Sequence, residues 1–520
     1  MAGVTALAVA LAWFLRFGTD DAYISFVYAR SLVEGHGLTW FGAHVEGYTN
    51  FLWVLWSAVG LELGANPLVW AWGLSLAALA ATLVITYRIA ALRSVPIAGT
   101  AAIALLATNF TFLAFGTSGL ETMLQTALLA GVWLEVEKLR RQPPNLEQVI
   151  VTATYASLAL WTRLDSAPVL AVLAIVAAHR LAKTGASVRT WVGAAMPVLV
   201  LVGGWFLWKL SFYDSILPNT FYAKAGTGHA AHGAWFVAQF LTAYMLWPLL
   251  AGVAVLAIVR RRVASALPLA MVAAQVAYVI AVGGDFMEFR FFVPILPPLA
   301  IALGEFATTA APRLPRVELR VAALIGFTAA FSLRHGLTFE GVADHSYDSV
   351  PQLATFFNKV RGNDWSKLGS SLRVLGETSA TIACNGAGAI PFNANLPTVD
   401  QLGLTDPWVA RHGSRAPESY PRPGHQRYAT YDYLKSRAVT FVLGSPTVIA
   451  RGSLTTATGG EHVDQWLRTI VGWEPPPSGT YEVVAAPVDD KVELLMWYLT
   501  PDPDVSARIA TWDHLQRQVR

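Results

Sequence analysis

The sequence predicts a polytopic α-helical membrane protein with a C-terminal soluble α/β or α+β domain, and three observations predict it. Hydrophobic residues make up 54% of the chain and charged residues only 14%, against roughly 25% charged in soluble proteins. Up to Arg334, about eleven apolar stretches follow one another, each roughly 17–25 residues long, the length that crosses a bilayer core as a helix. Beyond Arg334, glycine, proline and charged residues return, and β-prone runs such as Val439 to Leu443 and Tyr481 to Ala485 alternate with helical ones.

The stretches lie at 1–17, 67–91, 96–114, 118–136, 147–162, 166–183, 190–209, 235–259, 264–282, 290–308 and 318–334. They define a transmembrane region, 1–335, and a soluble region, 336–520. The segment FLWVLWSAVGLELG (51–64) is too short for a confident span and reads as a re-entrant or interfacial helix. The opening MAGVTALAVALAWFLRF has no basic n-region and no clear small-residue cleavage site, so it reads as a retained first helix rather than a signal peptide. Its short leading flank is expected to continue upstream.

Lysine and arginine accumulate on the cytoplasmic side of membrane helices, which orients the chain. Alternate turns hold fourteen of them: Arg88, Arg93, Lys138, Arg140, Arg141, Arg180, Lys183, Arg189, Arg260, Arg261, Arg262, Arg313, Arg316 and Arg320. The opposite turns hold seven: Arg16, Arg30, Arg163, Lys209, Lys224, Arg290 and Arg334. The second set is therefore assigned outside, and eleven spans starting inside put the soluble domain there too. The expected location is the inner (plasma) membrane, multi-pass, with the soluble domain extracytoplasmic.

Composition also excludes functions. Net charge is only +3 and no long basic run is interleaved with aromatics, so a nucleic-acid partner is not expected. The lone Cys384 rules out an internal disulfide framework.

The polar clusters fall on the outer turns. DDAYISF (20–26) and EGYTNFLW (46–53) supply Asp20, Asp21, Tyr23, Glu46 and Asn50. Later turns add TSGLET (117–122), WTRLDS (161–166), LPNTFYAK (217–224) with Asn219, and GGDFMEFR (283–290) with Asp285. Ionisable groups beside lipid are costly unless they are paired or line a wet cavity, so they are candidates for function.

These groups suit glycosyl transfer from a lipid phosphate. An acceptor hydroxyl needs a carboxylate base, and the departing phosphate needs cations to stabilise its charge. Asp20 or Asp21 supplies the base; adjacent side chains at a helix end cannot point the same way, so the other orients a partner. The blander reading of the pair is an N-cap for a helix starting at Ala22. Arg163, Lys224 and Arg290 are the phosphate-binding candidates, arginine as a planar fork and lysine as a mobile point charge. Against them stand an interfacial Arg163–Asp165 pair, a solvated Lys224, and an Arg290 paired only with Asp285 or Glu288. Glu121 reads as fixing helix packing.

The series DDAYISF, EGYTN, TSGLET, the Arg163 turn, LPNTFYAK and GGDFMEFRFFVP, followed by GAGAIPF (386–392), DQLGLTDP (400–407), RPGHQRY (422–428) and DYLKSRAV (432–439), resembles a known family. It is similar to bacterial GT-C glycosyltransferases related to the mycobacterial terminal β-(1→2)-arabinofuranosyltransferase of cell-wall arabinan, over nearly the whole chain. The resemblance implies a GT-C fold, a decaprenyl- or other polyprenyl-phosphate sugar donor, a cell-envelope glycan acceptor, and an inverting transfer whose base is a first-loop aspartate. It also implies that GGDFMEFR and the Gly424–His425 element help build the pocket. The chain departs from the family pattern at Leu164–Asp165 and in its PNTFYAK loop, which keeps mannose or another sugar open beside arabinofuranose.

His425 reads either as a hydrogen-bond donor to sugar or phosphate or as a turn residue. Tryptophans such as Trp53, Trp56, Trp70 and Trp72 read as an interfacial belt before a sugar platform. No GxGxxG or P-loop is present, which fits a lipid-linked donor rather than a nucleotide sugar. No CxxC or HExxH motif occurs either, so no metal or other cofactor is assigned, although oxygen ligands from Asp20, Asp21, Glu46 or Asp285 could form a weak divalent-cation site. The competing readings are a transporter or flippase for a lipid-linked sugar and a binding module on a membrane scaffold. Mid-span polar groups and internal repeats are the mark of a transporter, and the chain has neither in evident form.

Overall fold

The computed structural model describes residues 1–93, 96–224, 230–260, 266–309, 316–338, 347–355, 364–417, 422–455, 463 and 481–515. Arg261, Arg262 and Arg313, part of the predicted cytoplasmic set, lie outside them.

Helices occupy every predicted apolar stretch. Among the described residues, four are long and apolar enough to cross a membrane: Pro67–Leu92, Leu164–Lys183, Val188–Tyr213 and Arg290–Thr308. The bent pair Ala230–Ala243 and Leu246–Val253 would make a fifth, while Ala2–Phe14, Phe51–Glu62, Pro96–Ala107 and Ala266–Val282 are apolar but shorter. Among the described residues, length and composition alone thus do not reach the expected count of eleven spans.

Two stretches differ in form from the expectation. Residues 235–259 do not form one rod: the two helices meet at 95°, with Met245 at φ 47 between them, in the left-handed region that ends a right-handed helix. The 96–114 stretch stops at Ala107 and restarts at Phe110, where Asn109 caps the new helix by accepting the Phe112 N–H at 2.8 Å. Elsewhere the local chemistry agrees with the pattern. Asn66 accepts from the N–H groups of Leu68 and Val69, and Pro67 starts the helix, a position where its missing N–H costs nothing.

Helices meet closely where their residues are small. A Cβ at Gly304 would lie 2.6 Å from the carbonyl oxygen of Ala98, so Leu296–Thr309 packs backbone to backbone on Pro96–Ala107, the contact that drives helix association in lipid. At the end of the bundle expected to face the cytoplasm, Arg93 grips Glu305 (2.5 and 3.2 Å) and Glu137 (2.8 Å). Glu137 also pairs with Arg140 and Arg141, so three cations are matched to two buried carboxylates.

The soluble region is built on a six-stranded mixed sheet. Its strands are β1 (Ile382–Cys384), β2 (Thr398–Asp400), β5 (Phe441–Ala450), β6 (Glu482–Pro487), β7 (Val492–Tyr498) and β8 (Asp513–Leu515), in the order β2-β1-β5-β7-β6-β8. β1 runs parallel to β2 and β5, with Ile382 opposite Thr398 and Phe441; the remaining pairs are antiparallel. A separate antiparallel pair joins β3 (Ser414–Arg415) to β4 (Arg427–Tyr428). Because side chains alternate along a strand, Leu494 and Met496 enter one apolar core while Leu495 and Trp497 enter another on the opposite face. Past the expected boundary at residue 335, Tyr347, Val350 and Leu353 still pack into the helical core.

Candidate active site

Helix Asp20–Val33 starts with Thr19 at its N-cap, so Asp20 and Asp21 sit in its first turn, where the helix dipole favours negative charge. Successive residues on a helix differ by about 100° in direction, and the two carboxylates part. Asp20 reaches the soluble domain: its Oδ1 accepts the Ala389 N–H at 2.7 Å and its Oδ2 the Gly388 N–H at 3.0 Å. A Cβ at Gly388 would fall 1.9 Å from the Asp20 carbonyl oxygen, so only glycine allows this approach. Burial pushes the Asp20 carboxyl up to about 7, the Ala389 amide opposing the shift and the Asp21 charge adding to it.

Between the helix ends and the sheet lies a cavity of about 280 Å³, lined by both Asp20 and Asp21. Burial raises the Asp21 carboxyl as well, while the charges of Arg290 and Lys224 hold it down. Seven of the predicted residues line this cavity: Asp20, Asp21, Asn50, Arg163, Lys224, Arg290 and His425. They come from loops at one end of the bundle and from the soluble domain.

The cations are held differently. Arg163 gives Nη1 to Glu121 at 2.6 Å, and Nε and Nη2 to Asp165 at 2.7–3.0 Å. Glu121 in turn accepts from Asn50 Nδ2 at 2.7 Å, and Asp165 from Gln125 at 2.7 Å, so Arg163 is the centre of a buried network. Arg290 donates through Nε and Nη2 to Asp285 at 2.8 and 3.2 Å. Lys224 closes helix Asn219–Lys224 and touches the soluble domain at Gly424, where a Cβ would meet its Cε at 3.2 Å; Gly424 has φ +83, a second reason for glycine there. Burial lowers the Lys224 ammonium, and the Asp285 charge opposes that.

The other predicted pocket residues stand behind the wall. Tyr23 accepts from Ser366 Oγ at 3.3 Å, Glu46 pairs with buried Lys209 at 2.8 Å, Asn219 donates to the carbonyl of Gly403 at 2.8 Å, and Asp285 orients Arg290. None of them lines the cavity. Each is engaged by its own partner instead, Tyr23 by Ser366, Glu46 by Lys209, Asn219 by Gly403 and Asp285 by Arg290. His425 does line it, with its ring edge-on to Phe286 at 5.1 Å; burial and the Arg422 charge hold it well below the usual histidine range.

Among the lining residues that sequence reasoning passed over are Arg422, Asp348, Asn385 and Trp365. Arg422 donates to Asp348 Oδ1 at 3.0 Å, and Asp348 is fastened to the GGDFMEFR loop by its N–H to Phe286 O at 2.7 Å. Arg422 opens RPGHQRY and Asn385 precedes GAGAIPF, so the motifs marked the neighbourhood. Glu121, read as a packing residue, lines the cavity too. Among the described residues, no group of three or more His, Cys, Asp and Glu is placed to hold a metal ion; Asp20, Glu46 and Asp285 each face a different partner instead.

A family model described as a domain of unknown function (DUF8728) matches residues 358–494. No curated protein matches the chain. Solved structures do. ArnT from Cupriavidus metallidurans bound to undecaprenyl phosphate is similar over 95% of this chain and 97% of that one, with a TM-score of 0.58 at 12% identity. The archaeal oligosaccharyltransferase AglB from Archaeoglobus fulgidus, in complex with an inhibitory peptide and a dolichol-phosphate, is similar over 99% of this chain and 74% of that one, with a TM-score of 0.51 at 12% identity. The chain therefore has the fold of the GT-C membrane glycosyltransferases. That likeness does not reach the arabinofuranosyltransferase in particular.

Proposed function

We propose that the protein is an inverting glycosyltransferase that moves a sugar from a polyprenyl-phosphate donor to a hydroxyl of a cell-envelope glycan at the non-cytoplasmic face of the plasma membrane. The observation that carries the reading is that Asp21, Lys224 and Arg290, far apart in sequence, line one cavity at the helix ends. Asp21 takes the proton of the acceptor hydroxyl as its oxygen attacks the anomeric carbon. The bond from that carbon to the phosphate oxygen breaks, and its electron pair leaves with the polyprenyl phosphate. Lys224 and Arg290 stabilise the charge that develops there, with Arg163 adding to the field. One displacement with one base inverts the centre. The raised Asp21 carboxyl is a stronger base than a solvated one.

Two similar structures hold undecaprenyl phosphate and dolichol-phosphate respectively, which supports a lipid-phosphate donor in this fold. Arabinofuranose is the first sugar to test, on the motif resemblance, and mannose the next. A flippase for the same lipid would need charged groups near mid-span, whereas these gather at helix ends. Purified protein incubated with a panel of polyprenyl-phosphate sugars and a glycan acceptor should release lipid phosphate, and the Asp21→Asn variant should not. Release from no donor, or undiminished release by the variant, overturns the reading.

A further inference from the structure

The parallel strands of the soluble sheet deliver their carboxyl ends to the cavity. β1 is followed by Asn385, Gly386 and Ala387, β2 by Leu402 and Leu404, and β5 contributes Ser445 beyond its pairing of Gly444 with Cys384; all six line the cavity. In the order β2-β1-β5 the chain leaves β1 on one side and returns on the other, so the crevice at the end of β1 is a topological switch point, the place where open parallel sheets bind ligands.

Asn385 stands in that crevice. Its backbone N–H is engaged with Gly444 O at 3.0 Å. Both polar atoms of its side chain are buried and, among the described residues, have no hydrogen-bond partner. Buried polar groups nearly always have one, because leaving them unpaired is costly. The next residue is Gly386, where a Cβ would lie 2.3 Å from the Trp365 ring; the indole is therefore seated against the same wall. A carboxamide offers one acceptor and a two-hydrogen donor, which matches adjacent sugar hydroxyls, and an indole face packs on the C–H face of a sugar ring.

We propose that Asn385 and Trp365 form a sugar-binding wall supplied by the soluble domain, which reads the glycosyl group while the helical part holds the phosphate. This rests on the glycosyltransferase reading above. The shared chemistry is a ring with vicinal hydroxyls, whether it arrives on the donor lipid or on the acceptor glycan.

Full-length protein and its Asn385→Ala and Asn385→Asp variants are compared in binding to undecaprenyl phosphate, which carries no sugar, and to polyprenyl-phosphate arabinofuranose or whichever panel donor is turned over, and in the acceptor KM. Both variants should bind undecaprenyl phosphate as the wild type does, which also reports correct folding. The donor Kd or the acceptor KM should rise about tenfold, the loss of a hydrogen bond or two, with kcat little changed. A rise in donor Kd assigns the wall to the donor sugar, and a rise in acceptor KM alone assigns it to the acceptor. Unchanged values for both, or an equal loss for undecaprenyl phosphate, overturn the inference. A wild type that binds no undecaprenyl phosphate overturns the functional reading and the wall with it, a result visible without any variant.

Discussion

The carboxylate of Asp20 accepts the backbone N–H of Ala389 at 2.7 Å, a bond across 369 positions of the chain. That bond joins the C-terminal domain to the first turn of helix Asp20–Val33 and sets the two adjacent aspartates in different surroundings. Asp20 bridges to the backbone of Gly388 and Ala389. Asp21 is the one left beside the cations.

Replacing Asp21 by asparagine is expected to lower kcat by about 10²–10⁴-fold, the usual reach of a general base, without moving the melting temperature or undecaprenyl-phosphate binding. Asp20→Ala should instead lower stability by about 1–3 kcal/mol, because the buried amides of Gly388 and Ala389 lose their acceptor. Turnover and thermal unfolding of the two variants separate the roles; equal effects of both on kcat alone would contradict the division.

The three cations should also separate. Arg290→Ala or Lys224→Ala is expected to weaken undecaprenyl-phosphate binding about tenfold or more, since a charge-assisted contact is lost. Arg163→Ala should cost about 3–5 kcal/mol of stability, because Glu121 and Asp165 are left as unpaired buried charges. Titration with the lipid phosphate and denaturant unfolding distinguish these outcomes, and a stable Arg163→Ala protein would show that the network is not needed for the fold.

As the proposed base, Asp21 would act only when deprotonated, and burial raises its carboxyl above the ordinary 3.8. Activity should therefore fall as pH drops through a value above 3.8, and Arg290→Ala should move that acid limb to higher pH, because a charge that favours the carboxylate is removed. A kcat/KM profile against pH checks both.

Asp20 has a stability consequence of its own. Its folded value of about 7 against 3.8 means the folded state binds the proton more tightly, so its contribution is complete below about 3.8 and is lost as pH rises through about 7. Unfolding followed from pH 4 to 8 should show this decline, and Asp20→Ala should flatten it.

Gly388 does not itself line the cavity, but the Cβ of Gly388→Ala would meet the Asp20 carbonyl oxygen at 1.9 Å. The variant is expected to part the domains, with lost activity and faster proteolysis between them. Wild-type activity in this variant would show that the approach of Asp20 is not required.

Much was legible in the chain because it depends on neighbours in sequence. Apolar run length marked the helices, Asn66 with Pro67 marked a helix start, and charge placed Asp21, Arg163, Lys224 and Arg290 at helix ends. The bend at Met245 was passed over: Pro248, in the first turn of the second helix, was the local sign of a new start, but the left-handed residue at the break is neither glycine nor asparagine. Glu46 and Asn219 looked equal to Asn50 as pocket residues, since their types give no sign that Lys209 and Gly403 would claim them.

By itself the sequence determined a membrane chain of apolar helices, a mixed soluble domain, and the loops that carry its charge, because hydrophobicity and helical periodicity act over a few residues. Only the tertiary structure decided which aspartate meets Ala389, which carboxylates hold which arginines, and that Asn385 completes the far wall. Those choices join positions hundreds of residues apart, and packing geometry, not residue type, selects among partners of similar chemistry.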